Sequence, residues 1–428
     1  MSSTDLPFPK PQSRIAPVTR LKTVLFFGVM LVVTFGFCLA VLEFSLGTYY
    51  SDEQSGKWSA FHATRGWTLV PGTYWTKPVE MFRKFPIRID ERGLRAHTVS
   101  SNVKRPASLL VLGDSFTFAR EAPTEKIFTQ QLQVLMDRQS AGVEVLNAGV
   151  PGYGTAQELL LMRELREQRG IRPGTYLLMF FTNDILDNLC LSYGNLAPQP
   201  ARPCFVTGEA GELVLAQRPE QRLDSNDESL TQTQPGGGQG FRTIAVARGF
   251  AEEWLQSKPS LVRMLGNVGI HPQVPRLPGL LNGWYRDDIA LRGTALTRAL
   301  IRQLQLEVEQ SGGRLIVSIV PSPFQVYPET YLPLLQNSFP GNPLVARFSQ
   351  DMLRPQRLIR DICAEAGIPF QDLFQTFAAH NDTGLFIPRD GHLNEQGHGV
   401  AAKALFEFVM PFVSTHQNPA VPTVAPRS

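Results

Sequence analysis

The chain has 428 residues, of which 43% are hydrophobic and 18% are charged, so it can bury a large core and is not disordered throughout its length. Its net charge of +3 is small for this length and gives no reason to expect a nucleic acid partner. Internal repeats and zinc-type spacings of Cys and His are absent from the sequence, which argues against repeat architectures and zinc modules.

The first distinctive segment is an apolar run near the N-terminus. Val24 to Leu42 contains no charged residue, and at about 1.5 Å per residue it just spans a bilayer core of about 30 Å. Basic residues precede the run, which predicts a cytoplasmic segment over residues 1–22, a transmembrane anchor over 23–45 and an exported remainder. A cleaved signal peptide is the alternative, but it normally has a shorter apolar region that ends in a small-x-small site. We expect a single-pass protein of the inner (cytoplasmic) membrane, with its main domain on the periplasmic side.

A juxtamembrane region follows over residues 46–104. It contains Trp58, Trp67 and Trp75 and a short predicted strand at 85–89. The tryptophans could lie at the membrane interface or pack on the main domain. Because two of them are far along the chain from the anchor, we expect packing.

From Ser108 onward, apolar strands alternate with amphipathic helices. Several strands are nearly continuous apolar runs, as expected for strands that are covered on both faces. The predicted strands are 108–113, 143–148, 176–181, 314–320 and 368–373. The predicted helices lie near 126–138, 155–168, 294–310, 352–366 and 394–413. This repetition implies right-handed crossovers and a parallel sheet, which is an α/β fold.

A long insertion, from about 188 to 292, interrupts this main domain of residues 105–415. It contains a glycine-rich stretch at 234–240 and a helical pattern at 245–256. The insertion either shapes substrate access or forms a surface loop without a role in the site. Composition predicts that the tail, residues 416–428, is disordered.

The four cysteines occur in different settings. Cys38 lies in the apolar run, and Cys363 lies in an apolar helical pattern typical of a buried thiol. Cys190 and Cys204 flank a short loop of the insertion. In an oxidising compartment they could form a disulfide, which would add about 3 kcal/mol to the free energy of unfolding. Two free thiols are the alternative.

The first candidate site segment follows the first strand of the main domain. Functional residues of an open parallel sheet collect at the carboxyl ends of its strands. Gly113-Asp114-Ser115-Phe116 occupies that position and precedes a helix, so the Ser115 hydroxyl would lie near free backbone N–H groups that favour negative charge. The alternative is that Asp114 or Ser115 only caps the helix.

Two further segments offer hydrogen-bond donors. Residues 147–154 contain three glycines, which allow the backbone to approach a bound group, or which simply form a tight turn. Asn183 follows the third strand, and its side-chain amide could donate to an oxyanion. A preorganised donor of this kind increases kcat by about 10²–10³-fold. Capping the next segment is its alternative role. We interpret Asp184 and Asp187 as caps or surface residues, because no third carboxylate or His accompanies them as metal ligands.

The fourth segment, Asp390-Gly391-His392, precedes the last helix. A serine nucleophile needs a base, which is usually a His oriented by a carboxylate. One Gly between Asp390 and His392 lets the loop bend so that the carboxylate can reach the imidazole. The alternatives are His398 as the base, although we expect it to be packed in the helix, or a helix-capping loop at Asn394.

With these four segments the sequence resembles the SGNH (GDSL) hydrolase family, from roughly Ser108 to Val413 without the insertion. The resemblance implies a flavodoxin-like three-layer α/β/α sandwich with a five-stranded parallel sheet. It also implies hydrolysis or transfer of an acyl group with no metal and no other cofactor.

The resemblance also implies roles for individual residues. Ser115 matches the nucleophile of the first block, and its N–H matches an oxyanion donor. Gly152, five residues after an Asn, and Asn183 match the other two oxyanion donors. Asp390 and His392 match the acid and the base of the last block.

The sequence departs from the family pattern at three points. Ala119 replaces a Gly that often follows the first block, and Phe181 replaces the Gly that opens the third block, which narrows the expected acyl pocket. The last block has Asp-x-His, where many members have Asp-x-x-His. This version is similar to that of membrane-associated members, including those that acetylate exopolysaccharides.

Three functions are consistent with these patterns. The first is a membrane-anchored serine ester hydrolase of the cell envelope that forms an acyl-serine and acts on an acylated glycan or another ester. The second is an O-acyltransferase that modifies an envelope polysaccharide, with polysaccharide machinery as its partner. The third is a non-catalytic glycan-binding or assembly protein on the same scaffold, because a fold does not fix a function.

Overall fold

The structure is a computed structural model that describes residues 17–49, 58–76, 85–98, 105–208, 211–220, 277–382, 384–387 and 390–413. Predictions for the N-terminal residues 1–16, the glycine-rich stretch 234–240, the helical pattern 245–256 and the tail 416–428 lie outside the described residues. The chain forms two compact units. One contains residues 1–53 with 237–250, and the other contains 54–236 with 251–428.

The described part of the first unit is one long helix, α1 (Pro17–Tyr49). Its segment Lys22–Ser45 has a mean hydropathy of 2.7 and is long and apolar enough to cross a membrane. The apolar side chains surround the helix on all sides, so it has no polar face of the kind that a surface helix of a globular domain shows. This segment nearly coincides with the predicted anchor at 23–45.

Two antiparallel hairpins open the second unit. The first pairs β1 (Ser59–His62) with β2 (Gly66–Leu69), and the second pairs β3 (Gly72–Thr76) with β4 (Phe85–Ile89). The Arg95 N–H donates to the Asn147 carbonyl at 3.1 Å, which connects the segment after the second hairpin to the main sheet.

The predicted packing of the tryptophans is correct for two of the three. Trp67 is buried, and its indole N–H donates to the Pro151 carbonyl at 3.0 Å. Trp58 stacks on Phe118, with 5.6 Å between ring centroids. Trp75 remains exposed on the second hairpin, because alternate residues of a hairpin face away from the core.

The centre of this unit is a parallel sheet of five strands, which confirms the predicted α/β class. The strands are β5 (Ala107–Gly113), β6 (Val143–Gly149), β7 (Thr175–Phe181), β10 (Arg314–Val320) and β11 (Phe370–Asp372). Their spatial order is β11-β10-β7-β5-β6. Numbered along the chain, this is the order 2-1-3-4-5 of flavodoxin-like sheets.

Helices follow most of these strands. They are α2 (Ser115–Phe118), α3 (Phe128–Arg138), α4 (Thr155–Gln168), α5 (Asp184–Asn188), α6 (Gly279–Trp284), α7 (Asp287–Gln310), α8 (Pro323–Val326), α9 (Pro328–Ser338), α10 (Pro343–Gln350), α11 (Arg354–Ala366), α12 (Phe374–Ala378) and α13 (Glu395–Val413), with a 3-10 turn at Thr124–Lys126. The predicted helix 155–168 matches α4 at both ends.

Alternate side chains of β5 enter two different apolar clusters. Leu110 and Leu112 join a cluster that also contains residues of α4, α7 and α11. Leu109 and Val111 join a second cluster, with residues of α3 and α13. Since successive residues of a strand point to opposite faces, helices cover both faces of the sheet. The predicted three-layer sandwich is therefore present.

The structure corrects two boundaries and adds three helices. β11 has three residues where the sequence predicted six, and α7 begins at Asp287, within the predicted insertion. Between β10 and α11 the chain forms α8, α9 and α10, which the sequence analysis did not predict. Each of these helices begins with a Pro, which fixes the backbone for a first helical turn. α8 and α10 are too short to give a clear period, and α9 contains Pro333, a residue that argues against a helix interior.

The described part of the insertion belongs to the folded domain. β8 (Cys204–Thr207) and β9 (Leu213–Gln217) form an antiparallel hairpin, and a disulfide joins Cys190 to Cys204. Trp284 of α6 is fully buried, and its indole N–H donates to the Thr182 carbonyl at 2.6 Å. These parts of the insertion therefore pack directly against the loop that follows β7.

We predict that Gly149→Ala destabilises the fold. A Cβ at this last residue of β6 would lie 2.3 Å from the Phe118 N and 2.6 Å from the Thr117 carbonyl carbon, and both belong to the backbone of α2. Urea denaturation of the full-length chain should show a loss of about 1–3 kcal/mol in the free energy of unfolding.

The control for this prediction is Gly399→Ala in α13. The nearest heavy atom to its Cβ would be Gln131 Oε1 at 3.6 Å, which is ordinary contact. Helix propensity favours Ala over Gly by about 1 kcal/mol, so this variant should be as stable as the parent or more stable. Equal destabilisation of the two variants would contradict the close approach at Gly149.

Candidate active site

The turn after β5 places Ser115 at the carboxyl edge of the sheet. Ser115 is the first residue of α2, and Asp114 Oδ1 accepts the Phe116 N–H at 2.8 Å and so caps this short helix. A Cβ at Gly113 would lie 2.1 Å from Thr117 Oγ1, so a larger residue does not fit there. The glycine therefore allows the strand to turn sharply and present the serine hydroxyl.

The structure brings together the predicted nucleophile, base and acid. His392 Nε2 lies 2.8 Å from Ser115 Oγ, and His392 Nδ1 lies 2.6 Å from Asp390 Oδ1. Gly391 has a φ of +83°, a value that favours glycine and bends the loop so that the carboxylate reaches the imidazole. The His392 N–H also donates to Asp390 Oδ1, at 3.0 Å.

His398, the alternative base, lies elsewhere. It is 1% exposed, its ring stacks on Phe128 at 6.0 Å between centroids, and its Nδ1 accepts the Phe128 N–H at 3.4 Å. Burial lowers the pKa of His398 to about 3, so the ring is neutral. It packs α13 against α3, as predicted.

Two carboxylates determine the protonation of His392. Burial alone would lower the pKa of His392, but Asp390 and Glu121 outweigh it and raise this pKa to about 10. Burial would raise the pKa of Asp390, and the nearby imidazolium lowers it below its usual value. Glu121 is 5% exposed, and its Oε1 lies 4.0 Å from His392 Nδ1. The resting site therefore favours an imidazolium between two carboxylates.

Two of the predicted oxyanion donors are main-chain N–H groups. Gly152 has a φ of +75° and lines the same cavity as Ser115. The Val150 N–H donates to the Gly113 carbonyl at 3.0 Å, which connects the glycine-rich loop to the nucleophile turn. Within the described part of the chain, no acceptor is found for the N–H of Ser115 or of Gly152. Both groups are thus available to a ligand.

The third predicted donor, Asn183, also lines the cavity. Its Nδ2 lies 2.9 Å from the Tyr193 hydroxyl, 3.1 Å from Asp187 Oδ2 and 3.3 Å from Asp114 Oδ2. An amide has two N–H groups, so these three acceptors compete for them. The sequence predicts a preorganised amide donor here, and the structure places this amide in an acidic network.

The interpretation of Asp184 and Asp187 as caps or surface residues was wrong, since both are buried within α5, whose N-cap residue is Asn183. Asp187 forms an ion pair with Arg202, with 2.6 Å between Oδ1 and Nη2, and both of its oxygens contact the Tyr193 hydroxyl. Burial raises the pKa of Asp187 to about 7, although Arg202 opposes this. Asp184 Oδ2 accepts the Phe181 N–H at 3.2 Å. Asp187 can be buried because Arg202, 15 residues further along the chain, pairs with it, and sequence spacing does not reveal this partner.

A cavity of about 300 Å³ opens beside Ser115. Its walls include residues that the sequence analysis did not identify, and several belong to the insertion or to the helices after β10. These residues are Arg120, Glu121, Tyr193, Arg202, Pro278, Gly279, Leu280, Ser322, Pro323 and Phe324. The described part of the insertion therefore shapes access to the site.

Aromatic rings form the wall next to the nucleophile. The ring centroids of Phe116 and Phe181 are 3.9 Å apart, and the Phe116 ring lies 4.8 Å from the His392 ring. Phe181 ends β7 and occupies the position where the resembled family often has Gly. Its ring fills space that a smaller residue would leave open to a substrate.

Glu121, Asp390 and His392 are also a group of three potential metal ligands, whose ligand atoms all lie within 4.8 Å of one another. His392 Nδ1 and Asp390 Oδ1 are 2.6 Å apart, a hydrogen-bond length that leaves no space for a cation between them. The donor set therefore fits an acid–base pair better than a metal site.

Comparisons with known proteins give only distant matches. No family model and no curated protein matches the chain. Among solved structures, TesA has 12% identity and a TM-score of 0.35, with 71% of this chain and 99% of that chain covered. A catalytic mutant of Axe2, an acetylxylan esterase from Geobacillus stearothermophilus, has 14% identity and a TM-score of 0.35 over 72% of this chain and 95% of that one. LAE5, an alpha/beta hydrolase enzyme from the metagenome of Lake Arreo, Spain, has 12% identity and a TM-score of 0.34, with 72% of this chain and 97% of that chain covered. These matches are too distant to assign an activity.

We predict that Glu121→Gln lowers the pKa of His392. The change removes one of the two carboxylates that favour the imidazolium, and a charge within about 4–6 Å shifts a pKa by about 1–3 units. NMR titration of isotope-labelled histidine in the full-length protein measures this pKa directly, without any substrate.

Glu125→Gln is the control, because it makes the same change at an exposed carboxylate four residues further along the chain. It should leave the His392 titration unchanged. An unchanged titration in Glu121→Gln would contradict the assigned role. Since the folded-state pKa of His392 lies above the usual 6.5, its contribution to stability is complete below pH 6.5 and is lost as the pH rises towards 10.

Proposed function

We propose that the chain is a membrane-anchored serine ester hydrolase of the SGNH type, which acts in the cell envelope through an acyl-serine intermediate. The observation that carries this proposal is the continuous contact from Ser115 through His392 to Asp390, at 2.8 and 2.6 Å. A serine, an imidazole and a carboxylate in this order are the groups that activate an alcohol as a nucleophile.

In the proposed mechanism, Ser115 Oγ attacks the ester carbonyl carbon while His392 Nε2 accepts its proton. The imidazolium then donates this proton to the leaving alcohol, and an acyl-serine remains. Water, deprotonated by the same imidazole, attacks the acyl carbon. The bond to Ser115 Oγ then breaks, the imidazolium returns the proton to this oxygen, and the acid is released. Asp390 fixes the tautomer of His392 and stabilises the imidazolium throughout.

The proposed oxyanion site consists of the N–H groups of Ser115 and Gly152, with the Asn183 amide as a third donor. Asn183 can take this role by giving up the longest of its three contacts, the 3.3 Å contact to Asp114 Oδ2. Preorganised donors of this kind stabilise charge that develops only in the transition state, so they accelerate the reaction.

Catalysis requires a neutral imidazole, whereas the two carboxylates beside His392 favour its protonated form. The rate of acylation should therefore increase with pH across the neutral range.

The apolar helix with its span Lys22–Ser45 supports an anchored enzyme, and an acylated envelope glycan is the substrate class that we propose for it.

Ser115→Ala should abolish turnover. Assayed with a short-chain aryl ester, kcat should fall by roughly 10⁴ to 10⁶-fold, because the hydroxyl that forms the intermediate is gone. Ser349→Ala, on the exposed surface of α10, is the control and should retain parental activity. Parental activity in Ser115→Ala would rule out the assigned nucleophile.

Acyl transfer is the second candidate function, and the walls that the insertion adds to the cavity favour it by offering surface for a second substrate. A glycan hydroxyl would then replace water as the attacking group. An assay that measures whether an envelope polysaccharide loses or gains acetyl groups separates the two functions.

A non-catalytic binding protein would leave Ser115 unlabelled by a fluorophosphonate probe, as detected by mass spectrometry.

Phe181→Ala should shift the preference of the enzyme towards longer acyl groups. Removing the ring opens the wall beside Phe116, so the ratio of kcat/KM for octanoyl over acetyl aryl esters should rise by roughly tenfold or more. Phe324→Ala removes another ring of the cavity, one that contacts Tyr331 at 4.8 Å, and should leave this ratio unchanged. Equal shifts in both variants would refute Phe181 as the acyl wall.

A further inference from the structure

Arg202 is a buried arginine that lies in the same cavity wall as the nucleophile. Its side chain is only 5% exposed, although it belongs to an irregular loop two residues before β8. A charge at such a site requires partners for all parts of the guanidinium. The identity of those partners indicates what the residue does.

The guanidinium contacts Gly152 directly and is linked to Asn183 through Asp187. Nη1 donates to the Gly152 carbonyl at 2.6 Å and to Gln157 Oε1 at 2.8 Å. Nη2 lies 2.6 Å from Asp187 Oδ1, and the other oxygen of this carboxylate accepts from Asn183 Nδ2 at 3.1 Å. One planar group therefore connects the peptide of Gly152 to the amide of Asn183.

This connection matters because neither donor is held by regular secondary structure. Gly152 has a φ of +75° in a glycine-rich loop, and its N–H shares a peptide plane with the Pro151 carbonyl, which accepts the Trp67 indole N–H at 3.0 Å. Arg202 holds the following peptide through the Gly152 carbonyl, so the residue that carries the donor is fixed on both sides. Asn183 lies before the first residue of α5, and its side chain depends on Asp187 and Tyr193 for its orientation. The Trp67 ring lies 5.2 Å from the guanidinium and covers it.

The disulfide holds the two members of the ion pair together. Asp187 lies three residues before Cys190, and Arg202 lies two residues before Cys204, the other half of the bond. The Gln199 N–H also donates to the Cys190 carbonyl at 2.8 Å within this closed loop. Opening the disulfide would leave Arg202 attached to Asp187 by non-covalent contacts alone.

We propose that Arg202 is a positioning residue that holds Gly152 and Asn183 as oxyanion donors, and that the Cys190–Cys204 disulfide keeps it in place, so that activity depends on the oxidised form. This inference rests on the proposed esterase function. Reduction by a dithiol transfers two electrons and two protons, breaks the S–S bond into two thiols and converts the dithiol to its own disulfide. Cys204 is partly exposed, which gives the reductant a sulfur to attack.

The first experiment compares Arg202→Gln, Arg202→Lys and the parent as full-length proteins on a short aryl ester. Active sites are counted by the final extent of fluorophosphonate labelling, so that misfolded protein does not contribute. For Arg202→Gln we expect kcat per site to fall about 100-fold, with KM changed less than threefold, because an oxyanion donor acts mainly in the transition state.

Arg202→Lys tests whether charge alone is sufficient. Lysine can pair with Asp187, but it lacks the planar fork that reaches Gly152 at the same time. We expect its thermal stability to be closer to that of the parent while kcat stays low. The control is Arg169→Gln, an exposed arginine at the end of α4, which should retain parental values. Recovery of kcat together with stability would assign Arg202 a purely structural role and overturn the inference.

The second experiment reduces the disulfide in the parent and confirms it by mass spectrometry of alkylated thiols. We expect kcat of the reduced parent to fall about as much as in Arg202→Gln. The double variant that carries both Cys190→Ser and Cys204→Ser should behave like the reduced protein. Arg202→Gln should lose little more on reduction, because the same support is already missing.

The outcomes separate this inference from the function on which it rests. A reduced parent that retains full kcat, or an unaffected Arg202→Gln, overturns the inference and leaves the esterase standing. An oxidised parent that hydrolyses no ester and takes no fluorophosphonate overturns both.

Discussion

The 2.6 Å contact between Asp390 and His392 is the interaction on which the chemistry of the site depends. It orients the imidazole towards Ser115, and the charge of the carboxylate makes an imidazolium stable in a largely buried position. Both residues lie on the segment that connects α12 to α13, and Gly391 supplies the bend. The sheet contributes the other half of the geometry, because parallel strands end at one edge and bring the Ser115 turn to meet this loop.

Three buried carboxyl groups lie near the Ser115 turn, and burial disfavours their ionised forms. Asp114, Glu158 and Asp184 are fully buried, and burial raises the pKa of each, to about 6 for Asp114. For Asp114 the cost to stability is absent at low pH, develops above about pH 3.8 and is complete above pH 6. Above pH 6 Asp114 is therefore ionised, whereas Glu158 and Asp184, whose pKa values burial raises well above their usual range, favour the protonated form.

The sequence predicted the parts of the fold that local patterns determine. The strands β5 and β7 are uninterrupted apolar runs, and α4 has a regular helical period, so their limits were correct to within one residue. Ser115, Asp390 and His392, which the structure brings into contact, could be selected from the sequence because each lies in a short motif at a strand or helix end. The helix α8 was missed because four residues are too few for a period, and α9 was missed because Pro333 lies in its interior.

The supporting residues of the site could not be predicted in the same way. Arg202 is 15 residues from Asp187 in the sequence, and only the folded insertion places their side chains together. Glu121 follows the nucleophile closely, but nothing in the local sequence shows that it faces an imidazole from the far end of the chain. Asp187 resembled an ordinary helix cap because its arginine partner belongs to another loop. Long-range contacts of this kind leave no periodic signal.

Ser115 and His392 are separated by 277 residues. The nucleophile emerges from the ribosome in the first third of the main domain, whereas its base arrives just before the last helix. A nascent or truncated chain can therefore form much of the sheet and still carry only an ordinary, unreactive serine. In the proposed mechanism, the order of the segments thus makes synthesis of both of them a condition for reactivity.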